Sequence, residues 1–366
     1  MRRVKMDFEV NETSLRITSN NESEYDLPYL WIRDNCPCNE CRVKETQEKR
    51  FMLHSVPCDL KPKSIDVDES YIHVVWPDDH LTSICFDDIK LLEKPRKPEK
   101  VYWTNEFKPN YFSWHDFLQR DEIAIDAISN FIARGVIVIN DAPSIPDSLE
   151  ELAQRLGPIR EVLFERIHNV SVDGHVYNIA HTSLELPPHN DFASYTWPPS
   201  VQALHMLVND CEGGRSTIVD GYAVLSDLRN DYPEQFDILC NFAVPFREFD
   251  EENETYANEP MIRLNAEKEI TGFRYSNQLM QMIDPKKKNV DAFYEAYHEL
   301  CNRVNSEKYK SKFRLESGHI LLVSAHRVLH GREEFKPDGK RHLQDAYYEM
   351  DNIENNLVLL KTQGNK

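Results

Sequence analysis

The sequence predicts a mainly β protein with flanking helices, built as a small N-terminal β-rich domain over residues 1–97 and a larger domain over residues 98–366. The first observation is period-two alternation: Ser64–Asp68 and Tyr71–Trp76 read as short strands bounded by turn residues. The second is a boundary. Glu93–Lys100 is charged, holds two prolines and has no apolar residue, which marks a linker. The third lies beyond it, where helical and extended patterns alternate.

Each element of the larger domain has a local cause. Asp121–Ala133 predicts a helix closed by Gly135, followed by a buried strand at Val136–Ile139. A second helix over Asp147–Leu156 enters after Pro146 and stops at Gly157-Pro158. Phe293, Tyr297, Leu300 and Val304 recur at helical spacing and predict an amphipathic helix over 290–305. His319–Ser324 predicts a strand leading into a loop that carries His330, and Arg341–Tyr347 a strand with its polar residues inward. Asp250–Glu254 reads as a solvated acidic loop.

Composition excludes several function classes. With 366 residues and 40% apolar residues the chain can bury a substantial core. Lys+Arg 43 against Asp+Glu 62 gives −19, with no basic block, which argues against nucleic acid and anionic membrane as partners. No apolar run approaches the roughly 20 residues that cross a bilayer. The N-terminus has no apolar signal segment and turns acidic early, so a cytoplasmic location is expected, with a mitochondrial one left open by the short basic start.

Two clusters carry chemistry. His189-Asn190-Asp191 is a His-x-Asp pair; His330 follows far downstream, and Arg341 eleven positions after that. On a strand, residues i and i+2 share a face, so His189 and Asp191 can converge on one ion. Two imidazoles and one carboxylate suit one face of an octahedral Fe(II), leaving positions open for a cosubstrate and dioxygen. A guanidinium such as Arg341 can fork onto a dicarboxylate cosubstrate. Gly331 after His330 permits a tight turn. The second cluster, Cys36, Cys38 and Cys41, crowds three thiols into six residues and suits structural zinc in a reducing compartment. Spacing alone leaves His54, His73 and His80 open as the fourth ligand.

With these residues in place, the chain resembles the γ-butyrobetaine dioxygenase and trimethyllysine dioxygenase group of Fe(II)/2-oxoglutarate oxygenases, related more broadly to taurine dioxygenase. The resemblance covers nearly the whole chain. It rests on Leu30–Cys38, Trp76–His80, His189–Asp191, Gly213–Gly221, Arg327–Arg332 and Arg341–Leu343. It implies a double-stranded β-helix (jelly roll) with iron on His189, Asp191 and His330. Arg341 would hold the distal carboxylate of 2-oxoglutarate with help from Ser216 or Thr217, His80 would complete the zinc site, and the protein would be a homodimer.

The implied substrate is a small zwitterion: γ-butyrobetaine, giving L-carnitine, or a close trimethylammonium analogue. Tyr347 falls on a cage tyrosine of the family motif, and Asn277 on an asparagine near the substrate carboxylate. His181 stands where the family has another cage tyrosine, and Phe164–Asn169 lacks the tyrosine and tryptophan found there in vertebrate-type members. Phe164, Tyr195 or Tyr348 are the aromatic residues that would compensate. These departures leave an aminoalkylphosphonate or another betaine as alternative substrates, with Arg166 as the discriminating residue for a phosphonate. A zinc-stabilised binding protein without turnover is the reading from a different class.

Overall fold

In the computed structural model the described residues are 7–18, 24–92, 98–163, 165–171, 179–250 and 252–363. The chain divides into two units, 1–96 and 97–366, at the charged proline segment, of which residues 93–97 lie outside the described set.

The first unit is made of two antiparallel meanders. Asp7–Val10, Ser14–Thr18 and Glu24–Pro28 form one sheet; Ser64–Val67, Tyr71–Val75 and Leu81–Cys85 form the other. The alternation expected in the second meander is observed: Ile72 and Val74 are buried and join Leu15, Ile17, Ile32 and Trp76 in one core. Trp76 buries its indole and satisfies its N–H on Thr82 Oγ1 at 2.8 Å.

In the second unit two sheets face one another. One has six strands in the order Tyr111–Ser113, Val136–Asn140, Ile320–Ser324, Val201–Asn209, Arg341–Tyr348, His168–Ser171. The other has four, in the order Leu186–His189, Val328–Arg332, Ser216–Asp220, Lys310–Phe313. All pairings within them are antiparallel except Tyr111–Ser113 with Val136–Asn140. Alternation assigns each face. Val136, Val138, Leu204, Leu321 and Val323 meet Ile218 and Val328 between the sheets. Ile137, Ile139, Val201, Ala203 and Leu322 turn outward under the helices Asp121–Arg134 and Leu149–Leu156. Val219 and Leu329 of the smaller sheet are covered by Gly221–Asp231, Pro233–Asn241 and Val290–Asn305. This is the jelly roll with flanking helices.

Local causes act largely as expected. Asp121–Arg134 ends on Gly135 at φ 78°, and the helix Val290–Asn305 has the expected bounds. The second helix begins at Leu149 rather than Asp147, because Asp147 takes a positive φ of 63° and Ser148 serves as N-cap. His330 lies within the strand Val328–Arg332, not in a loop. Gly331 accordingly serves close approach rather than a turn: a Cβ there would meet the Leu186 carbonyl at 2.5 Å. Among the described residues, no helix is long and apolar enough to cross a membrane.

Candidate active site and zinc centre

His189 ends the strand Leu186–His189, and its backbone is paired directly with His330 on the next strand. Asp191 lies two residues on, just past the strand. Its placement depends on Asn190, which is buried and donates from Nδ2 to the Ala325 carbonyl (2.6 Å) while its Oδ1 accepts from the Tyr275 amide (2.8 Å). The middle residue of the motif is therefore a structural pin.

The three donors converge. His189 Nε2 is 3.2 Å and His330 Nε2 3.8 Å from Asp191 Oδ1, and the donor atoms of the triad lie within 4.8 Å of one another. Donors bound at about 2.1 Å on neighbouring corners of an octahedron lie about 3 Å apart, so the triad fits an iron-sized ion. His189 Nδ1 donates to the Pro187 carbonyl at 2.9 Å, which leaves Nε2 unprotonated toward the ion. Burial pushes the Asp191 carboxyl up, but His330, His189 and the Tyr347 hydroxyl outweigh it and hold the group well below its usual range. Burial takes His330 down to about 4, so it offers a neutral imidazole.

Behind Asp191 stands a network that was not legible in the sequence. Gln202 Nε2 donates to Asp191 Oδ2 (2.6 Å) and to Asp345 Oδ2 (2.9 Å). The Tyr347 hydroxyl lies 2.8 Å from Asp191 Oδ2 and 2.7 Å from Asp345 Oδ2. One phenolic proton serves only one of these carboxylates. The chain closes when Asp345 is protonated and donates to Tyr347, which donates to Asp191. Burial and the charge of Asp191 raise the Asp345 carboxyl to about 7, in keeping with that arrangement.

One cavity contains the triad and, on its wall, Arg341, Arg332 and Ser216. Arg341 Nε and Arg332 Nη1 are buried and have no hydrogen-bond partner among the described residues. Burial lowers the Arg341 guanidinium to about 10; burial and then Arg341 lower Arg332 to about 9. Two crowded guanidiniums with unused donors form a cradle for a carboxylate. Arg332, which sequence reading missed, is otherwise anchored on the carbonyls of Thr182 (2.9 Å) and Leu184 (3.0 Å). Its place two residues after His330 on a strand, hence on the same face, was the available signal. Ser216 is the cross-strand partner of Arg332 and lines the cavity, whereas Thr217, next on that strand, does not.

The residues expected to hold substrate are placed unevenly. Tyr347 lines the cavity with its ring edge-on to Phe192 at 4.9 Å. Asn277 is exposed and accepts from the Tyr297 hydroxyl (3.1 Å); its neighbours Ser276 and Gln278 line the cavity instead. His181 is buried, its Nδ1 3.1 Å from the Ser171 carbonyl, behind the lining residues Ala180 and His168. The Tyr195 hydroxyl accepts from the Leu163 amide and that of Tyr348 donates to the Leu149 carbonyl; neither lines the cavity. Phe164 lies outside the described residues. Arg166 is committed to Glu150, through hydrogen bonds of 2.6 and 3.0 Å, and is not on the cavity wall. Arg327 and Asp220, both in the family motifs, form a buried forked pair at 2.9 and 2.8 Å that is structural.

The other cluster is in the first unit. Cys36, Cys38 and Cys41 Sγ lie 3.3, 3.7 and 3.5 Å from His80 Nε2. A tetrahedral zinc with sulfur at about 2.3 Å and nitrogen at about 2.0 Å would space those atoms about 3.5 Å apart. His80, on the turn after Trp76, is thus the histidine that meets the thiols, and its Nδ1 faces Glu40 Oε2 at 3.4 Å.

Comparison with known proteins agrees with this geometry. Residues 96–347 match the family described as taurine catabolism dioxygenase TauD, TfdA, and residues 6–86 match gamma-butyrobetaine hydroxylase-like, N-terminal. The chain is 29% identical to gamma-butyrobetaine dioxygenase of Pseudomonas sp. (strain AK-1), covering 91% of this chain and 90% of that protein. It is 26% identical to the Homo sapiens gamma-butyrobetaine dioxygenase (93% and 92% covered) and 28% identical to the mitochondrial trimethyllysine dioxygenase of Rattus norvegicus (91% and 82%). A solved structure of the non-heme iron oxygenase OrfP with Fe and alpha-ketoglutaric acid aligns with a TM-score of 0.49 at 17% identity, covering 64% of this chain and 83% of that one. With the family match spanning most of the chain and the His-Asp-His triad assembled inside it, the protein belongs to the TauD/TfdA family of dioxygenases.

Proposed function

We propose that this protein is an Fe(II)- and 2-oxoglutarate-dependent hydroxylase of a small zwitterion, with γ-butyrobetaine, which would give L-carnitine, or a close analogue as substrate. The observation that carries this reading is the meeting on one cavity of His189, Asp191, His330 and the guanidiniums of Arg341 and Arg332, each with one buried N–H group that has no partner among the described residues. His189, Asp191 and His330 would hold the iron. When bound, iron and 2-oxoglutarate supply the oxidising chemistry, in which dioxygen is consumed, 2-oxoglutarate leaves as succinate and carbon dioxide, and a C–H bond becomes C–OH.

The chain's own residues do the rest. Arg341 and Arg332 grip the distal carboxylate of 2-oxoglutarate, with the Ser216 hydroxyl beside them, and so fix which end of the diacid faces the triad. Gln202 and Tyr347 hold one oxygen of Asp191 so that the other faces the histidines. Apolar lining from Leu204, Leu321 and Leu343 excludes water around these charges. The cysteine–histidine cluster would bind zinc with four protein ligands, a closed site that stabilises rather than catalyses. A homodimer and a cytoplasmic location complete the proposal.

The decisive test is succinate formation from 2-oxoglutarate with Fe(II), with and without γ-butyrobetaine. Stimulation that vanishes in Asp191→Ala supports the reading. Wild-type protein that yields no succinate with any small zwitterionic amine counts against it. The phosphonate alternative is disfavoured by the commitment of Arg166 to Glu150.

A further inference from the structure

The strand Ala243–Phe249 turns Val244 and Phe246 into the helix-covered core. Glu248, on the same face two residues on, reaches the cavity wall. Its neighbour Arg247 faces the other way and is consumed by Glu254 at 2.9 and 3.0 Å. Among the described residues no lysine or arginine pairs with Glu248; the Ser194 hydroxyl lies 3.5 Å from Oε2 and also meets Thr255 Oγ1 at 2.8 Å. Three carboxylates line the cavity among the described residues. Asp191 belongs to the triad and Asp345 to the Gln202–Tyr347 network, which leaves Glu248 as the cavity carboxylate outside both, with no lysine or arginine partner among the described residues. Burial, and then the charge of Asp191, push the Glu248 carboxyl up to about 7, and a cation brought beside it would hold it ionised. The cavity thus has a guanidinium pole for the cosubstrate and a carboxylate pole with no lysine or arginine partner among the described residues.

We propose that Glu248 selects the cationic head of the substrate, and that this head carries at least one N–H bond: a primary, secondary or tertiary ammonium in preference to a quaternary one. The inference rests on the reading of this cavity as the site of a small zwitterion. A carboxylate oxygen accepts a charge-assisted hydrogen bond of about 2.8 Å from an N–H cation. A trimethylammonium offers it no hydrogen and gains most from a cage of ring faces. The aromatic lining among the described residues is sparse: Phe192, Tyr347 and His168, with Phe192 and Tyr347 packed on each other.

The test is calorimetric titration of Mn(II)-loaded protein with γ-butyrobetaine, 4-(dimethylamino)butyrate, 4-(methylamino)butyrate and 4-aminobutyrate, with and without 2-oxoglutarate. The expected result is an N–H member binding at least tenfold tighter than γ-butyrobetaine. Glu248→Gln should weaken that member about 30-fold and γ-butyrobetaine less than threefold, while Glu248→Asp, which keeps the charge, recovers part of the loss. Tightest binding by γ-butyrobetaine in the wild type overturns the proposal, as does a folded Glu248→Gln that binds all four within threefold of wild type. If 2-oxoglutarate binds and none of the amines does, the Glu248 assignment fails and the oxygenase reading stands. If 2-oxoglutarate does not bind, that reading fails, and the titration without cosubstrate still decides Glu248.

Discussion

Arg341→Met removes the guanidinium while keeping an unbranched apolar stem in a wall that already contains Leu204, Leu315 and Leu343. In the ligand-free protein Arg341 is a cation with an unsatisfied Nε, crowded by Arg332. Its loss removes a desolvated charge and a repulsion, so the variant should melt no lower than wild type. With cosubstrate the sign reverses. Truncating one partner of a buried, hydrogen-bonded charge pair costs about 2–5 kcal/mol. Arg332 remains, with its own Nη1 unpartnered among the described residues, which places the loss near the lower half of that range. At about 3 kcal/mol the dissociation constant for 2-oxoglutarate should rise about 150-fold. Calorimetric titration of 2-oxoglutarate into Mn(II)-loaded protein reads this directly, and differential scanning fluorimetry without cosubstrate reads the stability. A dissociation constant within threefold of wild type, or a variant destabilised before any ligand is added, would show that Arg341 is a packing residue.

Three other outcomes follow from the same structure. Tyr347→Phe removes the hydroxyl that Asp191 and Asp345 share, so iron affinity should fall about 10–100-fold with the fold intact, as measured by metal competition. Cys38→Ser removes one zinc donor; zinc content should drop below one per chain and the first unit should lose its cooperative melt, whereas full stability after chelation would refute a structural metal. His205 is buried with no partner for either ring nitrogen among the described residues, and burial holds it down at about 4. Its folded value lies below the unfolded one of about 6.5, so the stability it contributes is present above pH 6.5 and lost as pH falls toward 4. His205→Leu should flatten that acid slope by up to about 3 kcal/mol in urea melts, and an unchanged slope would exclude His205 as its source.

What the sequence revealed depended on whether a signal was local. The triad was legible because a His-x-Asp pair with a distant histidine is an iron-ligand pattern, although Asp191 reaches the site from just past the strand, placed by the buried Asn190 rather than by strand period. The cysteine cluster was legible because its crowding has few other uses. Gln202 and Glu248 stayed hidden because single polar residues inside strands acquire meaning only when the register places them on the cavity side; Asp345 was covered only by the reading of Arg341–Tyr347 as polar inward, without its partners. Thr217 shows the same limit from the other direction: it lies one residue along its strand from the lining Ser216, and a phase error of one reverses the face, while Asn277 sits in a turn where no period assigns a side. Gly331 was read as a turn because a glycine that admits a neighbouring strand looks identical in sequence.

The strand Leu186–His189 lies at the margin of its sheet and meets its neighbour at only two register positions, Leu186 with Arg332 and His189 with His330, with an irregularity between them. So slender a seam has little backbone cohesion of its own. An ion gripped from both sides of it would act as a rivet, making occupancy of the reaction centre and integrity of that border one and the same event. Exhaustive dialysis against a chelator would then fray the molecule at its own doorway, with the rest of the barrel left closed.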